Sequence, residues 1–130
     1  MNIHHVGIYA DDIENVKSFF VNYFGFVGGE IYHNPKSGFY SYMLSSVDGE
    51  CRIEVMKRAG VQRQYTESVY TGLHHISLCV ASKQEVDIKT SELSSAGFEV
   101  LDGPRVTGDG FYESSVRCVE GILIEICWKL

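Results

Sequence analysis

The 130-residue chain is long enough for one compact domain and short for two ordinary ones. Its 45% apolar and 22% charged residues are the balance of a packed globular protein and argue against disorder; no apolar run approaches the ~20 residues of a membrane span. A net charge of −6 and a pI near 5.3 suit neither a phosphate backbone nor an anionic surface, so no nucleic-acid or membrane partner is expected.

Met1-Asn2-Ile3-His4-His5 runs straight into strand-like sequence, without the basic start and apolar stretch of a secretory leader, which predicts a cytoplasmic protein. The first strand is expected over residues 2–10 and a helix over 12–24. Asp11-Asp12 are its cap candidates, and Ile13, Val16, Phe20 and Phe24 recur at helical spacing. Gly25 stands where a helix C-terminus favours a residue tolerant of positive φ. Three strands follow over 26–33, 38–46 and 50–57, punctuated by Asn34-Pro35-Lys36-Ser37-Gly38 and Asp48-Gly49. A polar, aperiodic joint spans about 59–71. The pattern then restarts: a strand over 72–81, a helix over 83–96 after Ser82 with Val86, Ile88, Leu93 and Ala96 inward, and strands over 98–102, 111–119 and 122–128. Gly108-Asp109-Gly110 and Glu120-Gly121 mark the turns between the last three.

The restart is an internal repeat. Ile3-His4-His5-Val6-Gly7-Ile8 returns as Leu73-His74-His75-Ile76-Ser77-Leu78, Gly25-Phe26 as Gly97-Phe98, and Ile53-Glu54-Val55 as Ile124-Glu125-Ile126, each about 70 residues later. Three echoes in the same order divide the chain into two modules of strand, helix and three strands, about 1–58 and 72–130, within a single domain.

Strand side chains alternate between faces. His5, Gly7 and Tyr9 therefore oppose His4, Val6 and Ile8, and Arg52, Glu54 and Met56 oppose Ile53 and Val55. In the second module His75, Ser77 and Cys79 oppose His74, Ile76 and Leu78, while Glu125 and Cys127 oppose Ile124, Ile126 and Trp128. The apolar sets claim the helix-covered side, with His4 and His74 assigned to it. His5, Glu54, His75 and Glu125 are left for the concave side of a curved sheet. A carboxylate flanked by Ile and Val on a central strand is costly to bury without compensation, and two such carboxylates near one another repel. A divalent cation resolves both costs. Two imidazoles and two carboxylates suit nickel, zinc, cobalt or iron(II), with manganese a further candidate, and the lack of thiolate argues against a purely structural zinc. Cys51, Cys79, Cys118 and Cys127 show no CxxC spacing and are expected as buried small hydrophobes. His33, before the Pro-containing loop, is expected to face solvent.

With these residues in view, the chain resembles the vicinal oxygen chelate superfamily of glyoxalase I, bleomycin-resistance proteins, epimerases, fosfomycin-resistance transferases and extradiol dioxygenases. The resemblance runs over the full length and rests on His4-His5-Val6-Gly7-Ile8, Arg52-Ile53-Glu54-Val55, Gly72-Leu73-His74-His75-Ile76 and Gly121-Ile122-Leu123-Ile124-Glu125-Ile126. Within that group it is most similar to bacterial glyoxalase I, or lactoylglutathione lyase-like, proteins, through the stretches Asn34–Phe39 and Gly103–Ser114. It implies an α+β fold of two βαβββ modules whose curved mixed sheets surround a metal-binding cleft. It also implies a His-Glu-His-Glu ligand set at His5, Glu54, His75 and Glu125, and a homodimer with sites shared at the interface. The implied reaction isomerises a 2-oxoaldehyde–thiol hemithioacetal to a 2-hydroxyacyl thioester through an enediolate, as in methylglyoxal detoxification. Glu125 would be the main base, and Glu54 a ligand and candidate second base. Tyr9, Phe39, Arg58 and Phe111 are candidate substrate contacts. Glutathione-using relatives carry Arg where this chain has Tyr9 and Asn where it has Arg58; both departures leave room for a different thiol or acid. Alternatives within the resemblance are an epimerase, thiol transferase or dioxygenase, or a metal-free protein that sequesters a ligand.

Overall fold

The structure is a computed structural model and describes residues 1–62 and 71–130; the middle of the expected joint lies outside the described residues. The chain divides into two compact units, Met1–Tyr65 and Thr66–Leu130.

The first unit runs β1 (Val6–Tyr9), α1 (Ile13–Phe24), β2 (Val27–Gly28), β3 (Tyr32–Asn34), β4 (Phe39–Ser45) and β5 (Arg52–Lys57). Its sheet has the order β1-β5-β4-β2, with β3 also on β4. β1 is parallel to β5, with Gly7 opposite Glu54, and β4 is antiparallel to β5. The Asp12 carboxylate accepts from the backbone N–H groups of Glu14 and Asn15 and starts α1. Gly25, at φ 67°, ends it: its N–H donates to the Val21 carbonyl and the following Phe26 N–H to the Phe20 carbonyl. Ile13, Val16, Phe19 and Phe20 of the helix are buried with Tyr42, Leu44, Ile53 and Val55 of the sheet.

The second unit runs β6 (Ile76–Cys79), α2 (Lys83–Ser95), β7 (Glu99–Val106), β8 (Phe111–Arg117), a short 3₁₀ turn (Val119–Gly121) and β9 (Leu123–Lys129), in the sheet order β6-β9-β8-β7. β6 is parallel to β9, with Ser77 opposite Glu125. Ser82 caps α2 by accepting from the N–H of Glu85. Both units are thus βα followed by antiparallel strands, the α+β arrangement expected from the repeat.

Three expectations are corrected. Pairing on the two edge strands begins only at Val6 and Ile76, because the partner strands β5 and β9 themselves begin at Arg52 and Leu123. The strand expected over 26–33 is split into β2 and β3; residues 29–31 interrupt it, starting at Gly29, whose N–H donates to the Met43 carbonyl. In α2 the buried line is Val86, Thr90 and Leu93, while Ile88 is 55% exposed and Ala96 is also exposed. Thr90 occupies the inward position because its hydroxyl is satisfied, donating to the Val86 carbonyl at 2.7 Å and meeting the Ser114 hydroxyl at 2.5 Å.

Candidate metal centre

The alternation read from sequence holds on the strands. Val6 and Ile8 are partly covered and Ala10 is buried, while Gly7 and Tyr9 are exposed; on β5, Ile53 and Val55 are buried between Arg52, Glu54 and Met56 on the other face. On β9, Ile124 and Ile126 are buried beside α2, and Glu125 faces away from it. Each sheet therefore has a helix-covered side and a side bearing the candidate ligands.

In the first unit His5 Nε2 stands 3.4 Å from Glu54 Oε2. In the second, His75 Nε2 stands 3.1 Å from Glu125 Oε2. The carboxylates are the better covered partners, 22% and 20% exposed. Two donors held about 2.1 Å from one cation lie about 3.0 Å apart at a right angle and about 3.4 Å apart at the tetrahedral angle. Each His–Glu pair thus has the spacing of one edge of a coordination polyhedron, and its imidazole and carboxylate donors fit a borderline divalent metal. Among the described residues, His, Cys, Asp and Glu side chains form no cluster of three or more, so the candidate ligands stand as pairs.

The preceding histidines do not belong to the helix-covered side. His4 and His74 are exposed, and each lays its Nδ1 against that of the following histidine, at 2.9 Å and 3.0 Å. Which imidazole donates in each contact depends on the tautomer; a hydrogen on Nδ1 of His5 or His75 would leave its Nε2 able to bind a cation, whereas one on Nε2 would donate to the carboxylate. Outer hydrogen bonds fix the former tautomer in metal-binding imidazoles.

The candidate substrate contacts lie on the ligand-bearing faces. The Arg58 guanidinium sits over the Tyr9 ring, 5.5 Å from its centroid. Phe39, half-buried, meets the Tyr32 ring at 6.2 Å. Phe111 is half-buried and shares its face of β8 with Glu113 and Ser115, the latter opposite Glu125. His33 is exposed, stacked on Tyr40 at 4.1 Å between ring centroids.

Three residues that sequence reasoning missed join this face of the second unit. The β7–β8 register slips between Val100 and Asp102 and again between Asp102 and Arg105, bringing Asp102 opposite Ser115 and Arg105 opposite Glu113. Two residues three apart would ordinarily point to opposite faces; the bulge turns both to one, and Arg105 Nε donates to Asp102 Oδ2 at 2.6 Å. Gly103, at φ 80°, is required inside the bulge, because a Cβ there would run into the Glu113 carbonyl. That hydrogen bond holds the Asp102 carboxyl below its usual range. Burial, then repulsion from Glu125, pushes Glu113 above the ordinary carboxylate range, against the pull of Arg105 and His75. Simple alternation would have found Glu113 from Phe111 and Arg105 from Glu99; no sequence rule would have turned Asp102.

A sequence model described as the Glyoxalase/Bleomycin resistance protein/Dioxygenase superfamily matches residues 4–113, spanning His5, Glu54 and His75 and stopping short of Glu125. The chain belongs to this superfamily. An uncharacterized Bacillus subtilis protein, YwkD, is 30% identical over 98 residues, 75% of this chain and 73% of that protein. Among solved structures, a glyoxalase family protein from Bacillus cereus is similar over 100% of this chain and 95% of its own, with a TM-score of 0.83 at 20% identity. The fosfomycin resistance protein FosX from Listeria monocytogenes, in a crystal with Mn(II) and sulfate, is similar over 99% of this chain and 93% of its own, with a TM-score of 0.72 at 15% identity. These likenesses confirm the superfamily and the fold of two βαβββ modules. No helix among the described residues is long and apolar enough to cross a membrane.

Proposed function

We propose that this member of the superfamily is a metal-dependent lyase of the glyoxalase I type, converting a 2-oxoaldehyde–thiol hemithioacetal to a 2-hydroxyacyl thioester. One observation carries the reading: the repeat sets a His–Glu pair at metal-edge spacing on the open face of each sheet, His5 with Glu54 and His75 with Glu125. In this reading the two units work as one domain, both pairs serve a single divalent ion, and a homodimer shares its sites at the interface. Nickel or zinc heads the candidate ions. Once held there, the ion would supply Lewis-acid stabilisation of charge on the substrate's neighbouring oxygens.

The chain's own residues do the rest. Glu125 takes the proton from the first carbon and returns it to the second, which requires the carboxylate within hydrogen-bond reach of both. Glu54 holds the opposite side. Tyr9 with Arg58, and Phe39 and Phe111, contact the thiol arm and exclude water. Arg58 adds a cation where the glutathione-using pattern carries Asn, which favours a thiol of another shape or charge.

Metal analysis of the purified protein, followed by assays of methylglyoxal adducts of several thiols with each ion restored, tests this. Thioester formation that depends on the ion and is abolished in Glu125→Gln is the expected result. Full turnover without the ion, or in Glu125→Gln, overturns it. A ligand-sequestering protein would bind the adducts and turn over none.

A further inference from the structure

Cys79 and Cys127 are unused by the reaction above, and Cys79 is not the buried hydrophobe its sequence context suggests. They are register partners on the parallel strands β6 and β9, and their Sγ atoms stand 2.9 Å apart. Cys79 is exposed and Cys127 buried. Cys79 lies four residues after His75, and Cys127 two residues after Glu125 on the same face of β9.

We propose that this pair is a site of reversible oxidation, closing to a Cys79–Cys127 disulfide when a hydroperoxide reaches the exposed thiol. Neighbouring strands stand about 4.8 Å apart, within the roughly 4.4–6.8 Å over which Cα atoms accept a disulfide. The bond itself is about 2.05 Å, so the sulfurs close by less than ~1 Å from their 2.9 Å separation. In the first step the Cys79 sulfur attacks hydrogen peroxide: an S–O bond forms, the O–O bond breaks, and the departing hydroxide takes the thiol proton and leaves as water. Cys79 becomes a sulfenic acid and the peroxide is reduced by two electrons. In the second step the Cys127 sulfur attacks that of Cys79: the S–S bond forms, the S–O bond breaks, and the leaving hydroxide departs with the Cys127 proton as a second water. Two thiols and one peroxide thus yield one disulfide and two waters. The cross-link fastens β6, which begins directly after His75, to β9, which carries Glu125. It also halts Cys79 before the irreversible sulfinic and sulfonic acids.

The chain carries its own controls in Cys51, which precedes β5 of the first unit, and Cys118, which follows β8, while the register partners of Cys127 are Cys79 and Glu113. Dilute full-length protein is treated with one equivalent of hydrogen peroxide, the remaining thiols are alkylated, and the peptides are mapped by mass spectrometry without reduction. The expected product is one linked peptide pair, Cys79 with Cys127, lighter than its parts by two hydrogens, in monomeric chains on a non-reducing gel and reopened by dithiothreitol. Cys51 and Cys118 stay alkylatable. Cys79→Ser should abolish the link without creating another. The proposal is overturned if Cys79 advances to the sulfinic acid while Cys127 stays alkylatable, if both stay free under peroxide that oxidises Cys51, or if the link joins two chains. None of these readouts requires a metal or a substrate.

Discussion

The two units are built on one plan and differ in how they fill it. The first packs α1 through Ile13, Val16, Phe19 and Phe20, a wider apolar stripe, with the Tyr42 hydroxyl of β4 donating to the Glu14 carboxylate and Lys17 lying over the Tyr42 ring at its edge. The second buries only Val86, Thr90 and Leu93 from α2 and completes the layer with a hydroxyl pair, Thr90 to Ser114. The open faces differ as well. The first unit carries three aromatic rings there, Tyr9, Tyr32 and Phe39, beside Arg52, Glu54 and Arg58; the second carries Phe111 with Glu113 and Arg105, and an Asp102 turned in by the register slips of β7. What stays constant is the His–His–Glu trio of each unit, His4-His5 with Glu54 and His74-His75 with Glu125, at distances that agree within a few tenths of an ångström. Packing differs between the halves while the trio does not, as the proposed metal site requires.

The sharpest way to break that equivalence is to remove one ligand from each half. Outer partners of a metal site cost 10–100-fold in affinity when lost, so His5→Ala and His75→Ala should each weaken metal binding by more than about 100-fold and abolish turnover. Equilibrium dialysis against nickel or zinc measures this. If one variant binds as tightly as the unaltered protein, the two halves do not serve one ion.

His4 and His74 come next. As hydrogen-bond partners of the candidate ligands they should each contribute about 10–100-fold to metal affinity, with His4→Ala and His74→Ala alike. Tm measured without metal should stay within about 1–2 °C, since both rings are exposed and substitutions there are worth about ±0.5 kcal/mol. Unchanged metal affinity would make the Nδ1 contacts incidental.

The layout of both units and the ligand-bearing face were legible in the sequence, because Val6-Gly7-Ile8, Ile53-Glu54-Val55 and Ile124-Glu125-Ile126 alternate without interruption and the repeat checks each half against the other. Other features were hidden for physical reasons. Thr90 reads as polar, so the sequence pattern runs the inward line of α2 through Ile88; only the buried hydroxyl partner on β8 shows why a threonine belongs inside. Asp102 was unreachable because the register slips on either side of it change its parity: alternation from Val100 or Val106 assigns it to the helix-covered face, whereas it lies opposite Ser115. His4 and His74 were placed by the same alternation, which does not extend to residues that precede the first ladder pair.

The buried hydroxyl pair makes a smaller and more specific test of how the second unit compensates for its thinner stripe. Thr90→Val strands the Ser114 hydroxyl, which is 1% exposed, and should cost about 1–3 kcal/mol in urea unfolding. Adding Ser114→Ala removes the stranded group and should recover much of that loss, whereas two independent losses would add.

The smallest effect is electrostatic and belongs to the second unit alone. In the metal-free protein the Glu113 carboxyl is raised above its ordinary range by burial and by Glu125. An acid with a raised value in the folded state binds its proton more tightly there than in the unfolded chain. Below the ordinary carboxylate range both states are protonated and nothing is lost. As pH rises through and above that range the unfolded chain ionises first, and the folded state pays a penalty that is complete once the raised value is passed. Glu113→Gln removes the ionisable group, so the metal-free variant should melt slightly above the unaltered protein at pH 7, with the gap closing as pH falls below about 4. Restoring the cation should narrow the gap at neutral pH as well, because a positive charge beside Glu125 offsets the repulsion that raised Glu113. A gap that ignored both pH and metal would trace the difference to packing around β8 instead.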